Sequence, residues 1–257
     1  MPDDVPVSRP LVLVTGVGRT VGIGAAVSAR LAADGWDVAT TYWTPYDDRM
    51  PWGRQADGPE QVAGTLRELG ARTTAVPADL SDPAAPAAVF DAVEKDLGSV
   101  TALVMCHCES VDSGLLDTSV ESFDRHYAVN VRASWLLLRE FGERYRDVEG
   151  RGRVVAFTSD AVVGNVPYGA TKGALDRVVI AAARELAHLR VSANVVNPGP
   201  VDTGWMTDEL REQIRTATPL ARGGTPQDAA ALVSFLVSDE GGWVNGQLLS
   251  CDGGLHA

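Results

Sequence analysis

Leu11-Val12-Leu13-Val14-Thr15-Gly16-Val17-Gly18-Arg19-Thr20-Val21-Gly22-Ile23-Gly24 joins a short apolar run to a glycine-rich turn and then to an Ala/Leu-rich stretch that continues to about Asp34. The run 11–14 does not alternate with polar residues, so it reads as a strand buried on both faces, the kind found in parallel sheets. Glycines placed directly after such a strand permit a tight turn and let the backbone come close to a ligand. They also aim the N-terminal amides of the following helix at an anion. A strand, a phosphate-binding corner and a helix are thus predicted in the first 34 residues.

The same alternation runs to the end of the chain. Further strands are predicted at Val38–Tyr42, Thr74–Pro77, Ala102–Cys106, Arg153–Phe157, Ser192–Val196 and Leu248–Cys251, with helices at Gln61–Leu69, Ala84–Leu97, Phe123–Tyr145 and Tyr168–Leu186. Seven strands alternating with helices predict an α/β fold, a doubly wound and mainly parallel sheet of the Rossmann type with helices on both faces. No composition break divides residues 1–257, so a single domain is expected. Two segments stand apart, each a candidate wall or lid: residues 43–58, a long connection after the second strand, and residues 203–222, a polar, helix-capable insertion that reads as a substrate lid.

The chain has 257 residues, 45% of them apolar, and a formal net charge of -12, which suits a well-packed core and argues against a nucleic-acid or anionic-membrane surface. There is no 18-residue apolar run, and Met1-Pro2-Asp3-Asp4 carries acids where a signal peptide would carry bases. Three cysteines do not make a disulfide framework and suit a reducing, cytoplasmic compartment.

Chemistry is concentrated in Tyr168-Gly169-Ala170-Thr171-Lys172, which puts a phenol and an ammonium on one helix face four residues apart. A nearby cation stabilises phenolate and lowers the tyrosine pKa from its usual value of about 10, making a general acid/base. Four other motifs accompany it in order: Asp79-Leu80-Ser81-Asp82 after the third strand, Asn130 within Tyr127-Ala128-Val129-Asn130-Val131, Asn197-Pro198-Gly199-Pro200-Val201-Asp202-Thr203, and the C-terminal run from Gly223 through Asn245-Gly246-Gln247 to Asp252-Gly253-Gly254.

Together with Thr15–Gly24 these motifs resemble the short-chain dehydrogenase/reductases along nearly the whole chain, most closely the 3-oxoacyl-carrier-protein reductase branch. The glycine turn departs from that family's Thr-Gly-x-x-x-Gly-x-Gly by two extra residues between Gly16 and Gly22. The resemblance implies that Tyr168 exchanges a proton with a carbonyl or carbinol, that Lys172 lowers its pKa and binds the nicotinamide ribose, that Ser159 orients the substrate oxygen and that Asn130 connects Lys172 to solvent. It implies dinucleotide contacts at Gly16, Arg19, Gly22, Ile23, Tyr42, Asp79, Leu80, Cys106, Tyr168, Lys172, Pro198, Val201 and Thr203. A homotetramer or homodimer is also implied, tetramer packing running through helices 123–145 and 168–186 and the last strand.

Two departures bear on function. Ser159 stands nine residues before Tyr168, a shorter connection than the family pattern carries, and Met105-Cys106-His107-Cys108 occupies the place of the family's Asn-Asn-Ala-Gly. Cys106 and Cys108 point one way from an extended chain and His107 the other. With no second ligand pair following, they read as core-packing groups and no metal site is expected. His126 likewise reads as a packing or surface residue.

The second strand ends Thr40-Thr41-Tyr42-Trp43, without the acid that would select NAD(H), while Arg19 is placed to meet a 2'-phosphate, so NADP(H) is the expected cofactor. Asp47 and Asp48 on the long connection are the acids that would reverse this. Tyr42 and Trp43 either pack on the adenine or fill the space under that connection. The expected activity is hydride transfer between NADP(H) and a ketone or secondary alcohol, a 3-oxoacyl thioester being the substrate the branch suggests. The alternatives are a family member weakened in catalysis that serves nucleotide binding or assembly, and an epimerase or dehydratase using the same tyrosine.

Overall fold

In the computed structural model, residues 9–146 and 151–257 are described. The acidic opening Met1–Asp4 lies outside the described residues. β1 (Leu11–Thr15) leads through the glycine turn to α1 (Ile23–Ala33), β2 (Asp37–Tyr42), α2 (Thr44–Asp48) and α3 (Gly58–Glu68). β3 (Thr73–Pro77), α4 (Ala85–Asp96), β4 (Ala102–Met105), α5 (Val120–Tyr127) and α6 (Ala133–Arg144) follow, then β5 (Arg153–Phe157) and α7 (Val166–Glu185). The chain closes with β6 (Ser192–Asn197), α8 (Asp208–Ala217), α9 (Pro226–Val237) and β7 (Leu248–Ser250).

All seven strands are parallel, in the order β3-β2-β1-β4-β5-β6-β7. Successive side chains on a strand point to opposite faces, and each face here is buried. Leu11, Leu13, Leu103, Val154 and Val195 pack against α4, α6 and α7, whereas Val12, Val14, Val104, Val155 and Val196 pack against α1, α3 and α9. That two-sided burial is why the strands read as unbroken apolar runs. β1 pairs with β2 on one side and β4 on the other, so the winding direction reverses between β1 and β4 and a crevice opens beyond their carboxyl ends.

The single helix expected at Phe123–Tyr145 is instead three pieces. Ser119 caps α5 by accepting from the Ser122 amide, so the helix begins three residues earlier, and residues 128–132 form a π-helical turn between α5 and α6. The wide turn carries Asn130 inward, where its carboxamide accepts from the Glu109 amide at 2.7 Å and donates to the Glu109 carbonyl at 2.9 Å. A tertiary clamp of this kind is invisible to helical periodicity. The long connection after β2 is also not bare loop, since it contains α2, and the 203–222 insertion contains α8, capped by Thr207.

His107 staples the crevice floor. Its Nδ1 accepts from the Thr15 hydroxyl at 2.6 Å, while Nε2 lies 3.2 Å from the Val129 carbonyl and 3.3 Å from the Ser134 hydroxyl. Thr15 Oγ1 in turn accepts from the Cys106 amide at 3.2 Å. Every bond in the set is made by neutral imidazole with its proton on Nε2. Burial, with the Lys172 charge adding, pushes the His107 pKa down to about 3. The unfolded chain takes up that proton near pH 6.5, so the stability contributed by neutral His107 is fully present above 6.5 and is lost as pH falls toward 3. At about 1.4 kcal/mol per pH unit, wild-type protein is expected to lose about 2 kcal/mol more than His107→Asn between pH 7.5 and 5. Urea unfolding of both at the two pH values checks this, and parallel losses refute it.

Candidate active site

The crevice is lined by Gly16, Gly18, Arg19, Gly22 and Ile23 from the glycine turn, by Thr41, Tyr42 and Trp43 from the β2 end, by Ala78, Asp79 and Leu80 after β3, and by Cys106–Glu109 after β4. Gly16 sits at φ +76°, and a Cβ there would lie 2.7 Å from the His107 backbone nitrogen, so no side chain fits where β1 and β4 come closest. Gly22 is the N-cap of α1 and offers no side-chain cap. The first amides of the helix are therefore not taken up by a side chain, an arrangement that suits an anion at the crevice floor.

Of the dinucleotide contacts expected from sequence, Gly16, Arg19, Gly22, Ile23, Tyr42, Asp79, Leu80, Cys106 and Thr203 line this one crevice. Tyr168, Lys172, Pro198 and Val201 are not among its lining residues. Pro198 and Val201 are buried in the chain leaving β6, where Val201 bridges to Gly224. The open donors of α1, the bare backbone at Gly16 and the Asp79-Leu80 wall suit a dinucleotide in chemistry and shape. Among the described residues no group of three or more His, Cys, Asp or Glu side chains is arranged to hold a metal ion.

The Tyr168–Lys172 pair lies on the first two turns of α7, with the Lys172 ammonium 5.6 Å from the Tyr168 ring centroid. Lys172 is buried and donates to the Phe157 carbonyl at 2.8 Å. Burial lowers its pKa, against the pull of Cys108, Cys106 and Asp176. The Tyr168 phenol moves the other way: burial pushes its pKa up, Cys108 adds to the rise, and the neighbouring Ser159 side chain opposes it. Cys108 therefore faces both members of the pair and the crevice together.

The Ser159 side chain acts on the Tyr168 phenol despite the short connection, and Gly169 is where that connection packs on α7. A Cβ at Gly169 would collide with the Ala161 carbonyl oxygen, so the 161–162 backbone rests directly on the first turn of α7. The rest of the connection is tied down on both sides. Asp160 lies 2.9 Å from His256 Nδ1, and Asn165 donates to Ser110 Oγ at 3.1 Å and to Asp112 Oδ1 at 2.6 Å. Asn130, besides its two bonds to Glu109, donates to Thr171 Oγ1 at 2.9 Å. Its carboxamide is thereby committed to holding the 109 backbone against α7, next to Lys172 rather than on it.

Arg19 is held from three sides, by Asp47 at 3.3 Å, by the Thr203 carbonyl at 3.0 Å and by the Trp52 ring at 4.8 Å from the guanidinium carbon to the centroid. Asp47 also accepts from Trp52 Nε1 at 2.9 Å. Residues that sequence reading left out of the site, Tyr46, Glu109 and Arg125, share the lining, as does Asp47. For Tyr46 and Asp47 the only signal in the sequence was the aromatic and charged character of the long 43–58 connection; Glu109 and Arg125 had none.

The family model described as enoyl-(acyl carrier protein) reductase matches residues 16–256. An uncharacterized oxidoreductase of Bacillus subtilis (strain 168) is 34% identical over 250 residues, covering 95% of this chain and 96% of that protein. A short-chain dehydrogenase/reductase from Serratia marcescens BCRC 10948 superposes with TM-score 0.86 at 29% identity over 98% of this chain and 100% of that one. A short chain dehydrogenase from Burkholderia cenocepacia J2315, solved in complex with NADP, superposes with TM-score 0.85 at 32% identity, over 96% of this chain and 98% of that one.

The contact between Gly169 and Ala161 generates a test of the short connection. Gly169→Ala is expected to cost about 1–3 kcal/mol of stability through overpacking and to lower turnover by displacing Ser159. A thermal melt and a turnover measurement that both match wild type would remove Gly169 as the constraint.

Proposed function

The chain belongs to the short-chain dehydrogenase/reductase family of oxidoreductases, and from that premise we propose that it reduces a ketone to a secondary alcohol with NADP(H), using Tyr168 as the proton donor. The observation that carries this reading is the placement of Tyr168 over the buried Lys172 ammonium, 5.6 Å from the phenol ring centroid, with the Ser159 side chain near enough to oppose the rise of the Tyr168 pKa. It gathers two hydroxyl groups beside a buried ammonium. A bound nicotinamide cofactor would supply the hydride; the chain supplies orientation and the proton.

Because burial raises its pKa, the Tyr168 phenol is held protonated at neutral pH, the form that reduction requires. Its hydroxyl transfers a proton to the substrate oxygen while Ser159 donates to the same oxygen, stabilising negative charge as it develops. Lys172 uses one ammonium donor on Phe157 and has two more for ribose hydroxyls, and its charge stabilises the phenolate left after proton transfer. Asn130 positions the Glu109 and Thr171 segments on either side of this pair. The reading of a weakened, binding-only member rested on the short connection and the altered 105–108 segment. Against it, the Ser159 side chain is near enough to act on the Tyr168 phenol, and His107 makes bonds that tie the altered segment to β1 and the π-helical turn.

NADP(H) over NAD(H) is supported by Arg19 beside the α1 amides and by the absence of an acid at the β2 end. Asp47, the acid that would favour NAD(H), is taken up by Arg19 and Trp52. The NADP complex of the Burkholderia relative points the same way. For the substrate, exposed Leu115, Leu116, Val162 and Val163 on the two connections near Tyr168 suit a ketone with an apolar body, including a 3-oxoacyl thioester. A homotetramer or homodimer fits the half-exposed Tyr127 and Trp135 on the π-turn side of α5 and α6.

Tyr168→Phe is expected to lower turnover of NADPH with a ketone panel by about 100-fold or more, since it removes the general acid; retained turnover defeats the assignment. In a fluorescence titration, NADPH is expected to bind more tightly than NADH, and the reverse order would reassign the cofactor.

A further inference from the structure

Residues 43–57 cross the crevice rather than skirt it. Tyr46 and Asp47 line the same space as the floor residues Gly16, Ile23 and His107. On the β1 side, this strap is tied to the glycine turn by Asp47 to Arg19 at 3.3 Å, by Trp52 over the Arg19 guanidinium, and by Gln55 Oε1, which accepts from the Thr20 amide at 3.0 Å. On the β4 side, the Tyr46 hydroxyl donates to the Ser110 carbonyl at 3.2 Å. Arg49 grips Glu109 there with two parallel bonds of 3.0 Å, one to each carboxylate oxygen. The strap therefore spans the two walls of the winding reversal, and a ligand that reaches the α1 amides lies beneath it.

The anchors differ in how readily they part. Glu109 is 2% exposed, so it needs a cation at all times. Arg125 Nε, 3.2 Å away on α5, stays with it whatever the strap does. The Arg49 side chain is 43% exposed and can move into water without losing hydration. Opening at Arg49 therefore leaves no unpaired charge in the protein.

We propose that Arg49 and Glu109 are positioning residues that latch the 43–57 strap across the dinucleotide cleft, so that cofactor enters and leaves when this ion pair parts. The inference rests on the cleft's being a dinucleotide site. Holding the strap down lengthens the residence of the cofactor without touching its reacting atoms. As an exchange between an ion pair and solvated ions, the opening is promoted by salt.

The experiment is stopped-flow release of NADPH from the whole protein into excess NADP, followed by cofactor fluorescence, with hydrogen exchange of the 43–57 amides alongside. Arg49→Ala is expected to release NADPH at least tenfold faster and to exchange the strap amides faster, with the melting temperature within a few degrees of wild type. Arg49→Lys, which keeps the charge but not the two-pronged geometry, is expected to fall between. Wild-type release is expected to quicken severalfold from 50 to 500 mM salt, and release from Arg49→Ala to lose that dependence. If wild type binds NADPH and Arg49→Ala releases it at the wild-type rate, or if wild-type release ignores salt, the latch is overturned and the dinucleotide reading stands. If wild type binds neither NADPH nor NADH, both fall.

Discussion

The site depends on how closely two diverging strand ends approach each other. β1 and β4 are neighbours in the sheet, and immediately past them the chain must separate to make room for a ligand. Gly16 allows the approach because nothing bulkier than hydrogen fits against the His107 backbone. His107 then closes it, taking the Thr15 hydroxyl on one ring nitrogen and reaching Val129 with the other. A neutral imidazole suits this position since it has one donor and one acceptor on opposite sides. The bonds join β1, β4 and the π-helical turn in one unit, which fixes the floor from which the α1 amides and the β3 end are displayed.

The second unit, Tyr168 with Ser159 and Lys172, is hung from that floor by Asn130. Its carboxamide links the Glu109 backbone to Thr171, one residue from Lys172. Electrostatics in this unit follow from burial more than from pair attraction. The phenol is pushed toward its neutral form and the ammonium toward its own. That is the opposite of the simple expectation that the cation governs the tyrosine. Burial opposes charge on either partner, and the cation's influence is largest once the phenol has given up its proton.

Much of this was legible in the linear chain. Two-sided burial of parallel strands requires unbroken apolar runs, so all seven strands were readable, with ends displaced by a residue or so. The glycine turn, Asp79-Leu80, Asn130, Ser159, Tyr168 and Lys172 were readable because each carries a local chemical demand. Less legible were the break of the 120–144 helix at residues 128–132, the approach of Ala161 to Gly169, and the crossing of the crevice by α2. In each case the deciding contact joins residues far apart in the chain or set off from the local periodicity: Asn130 with Glu109, Gly169 with a carbonyl on the preceding connection, and Arg49 with Glu109.

By itself the amino-acid sequence determined the class of fold, the order of its elements and the chemical types assembled at the crevice, because hydrophobic period and turn chemistry act over a few residues. Tertiary structure alone decided that the short connection packs on Gly169 of α7, that Asp47 is occupied by Arg19 and Trp52, and that Tyr46 and Asp47 cross to the crevice floor. Those outcomes depend on distances between segments dozens of residues apart. Such distances are set by the packing of helices on a twisted sheet, and no local pattern encodes them.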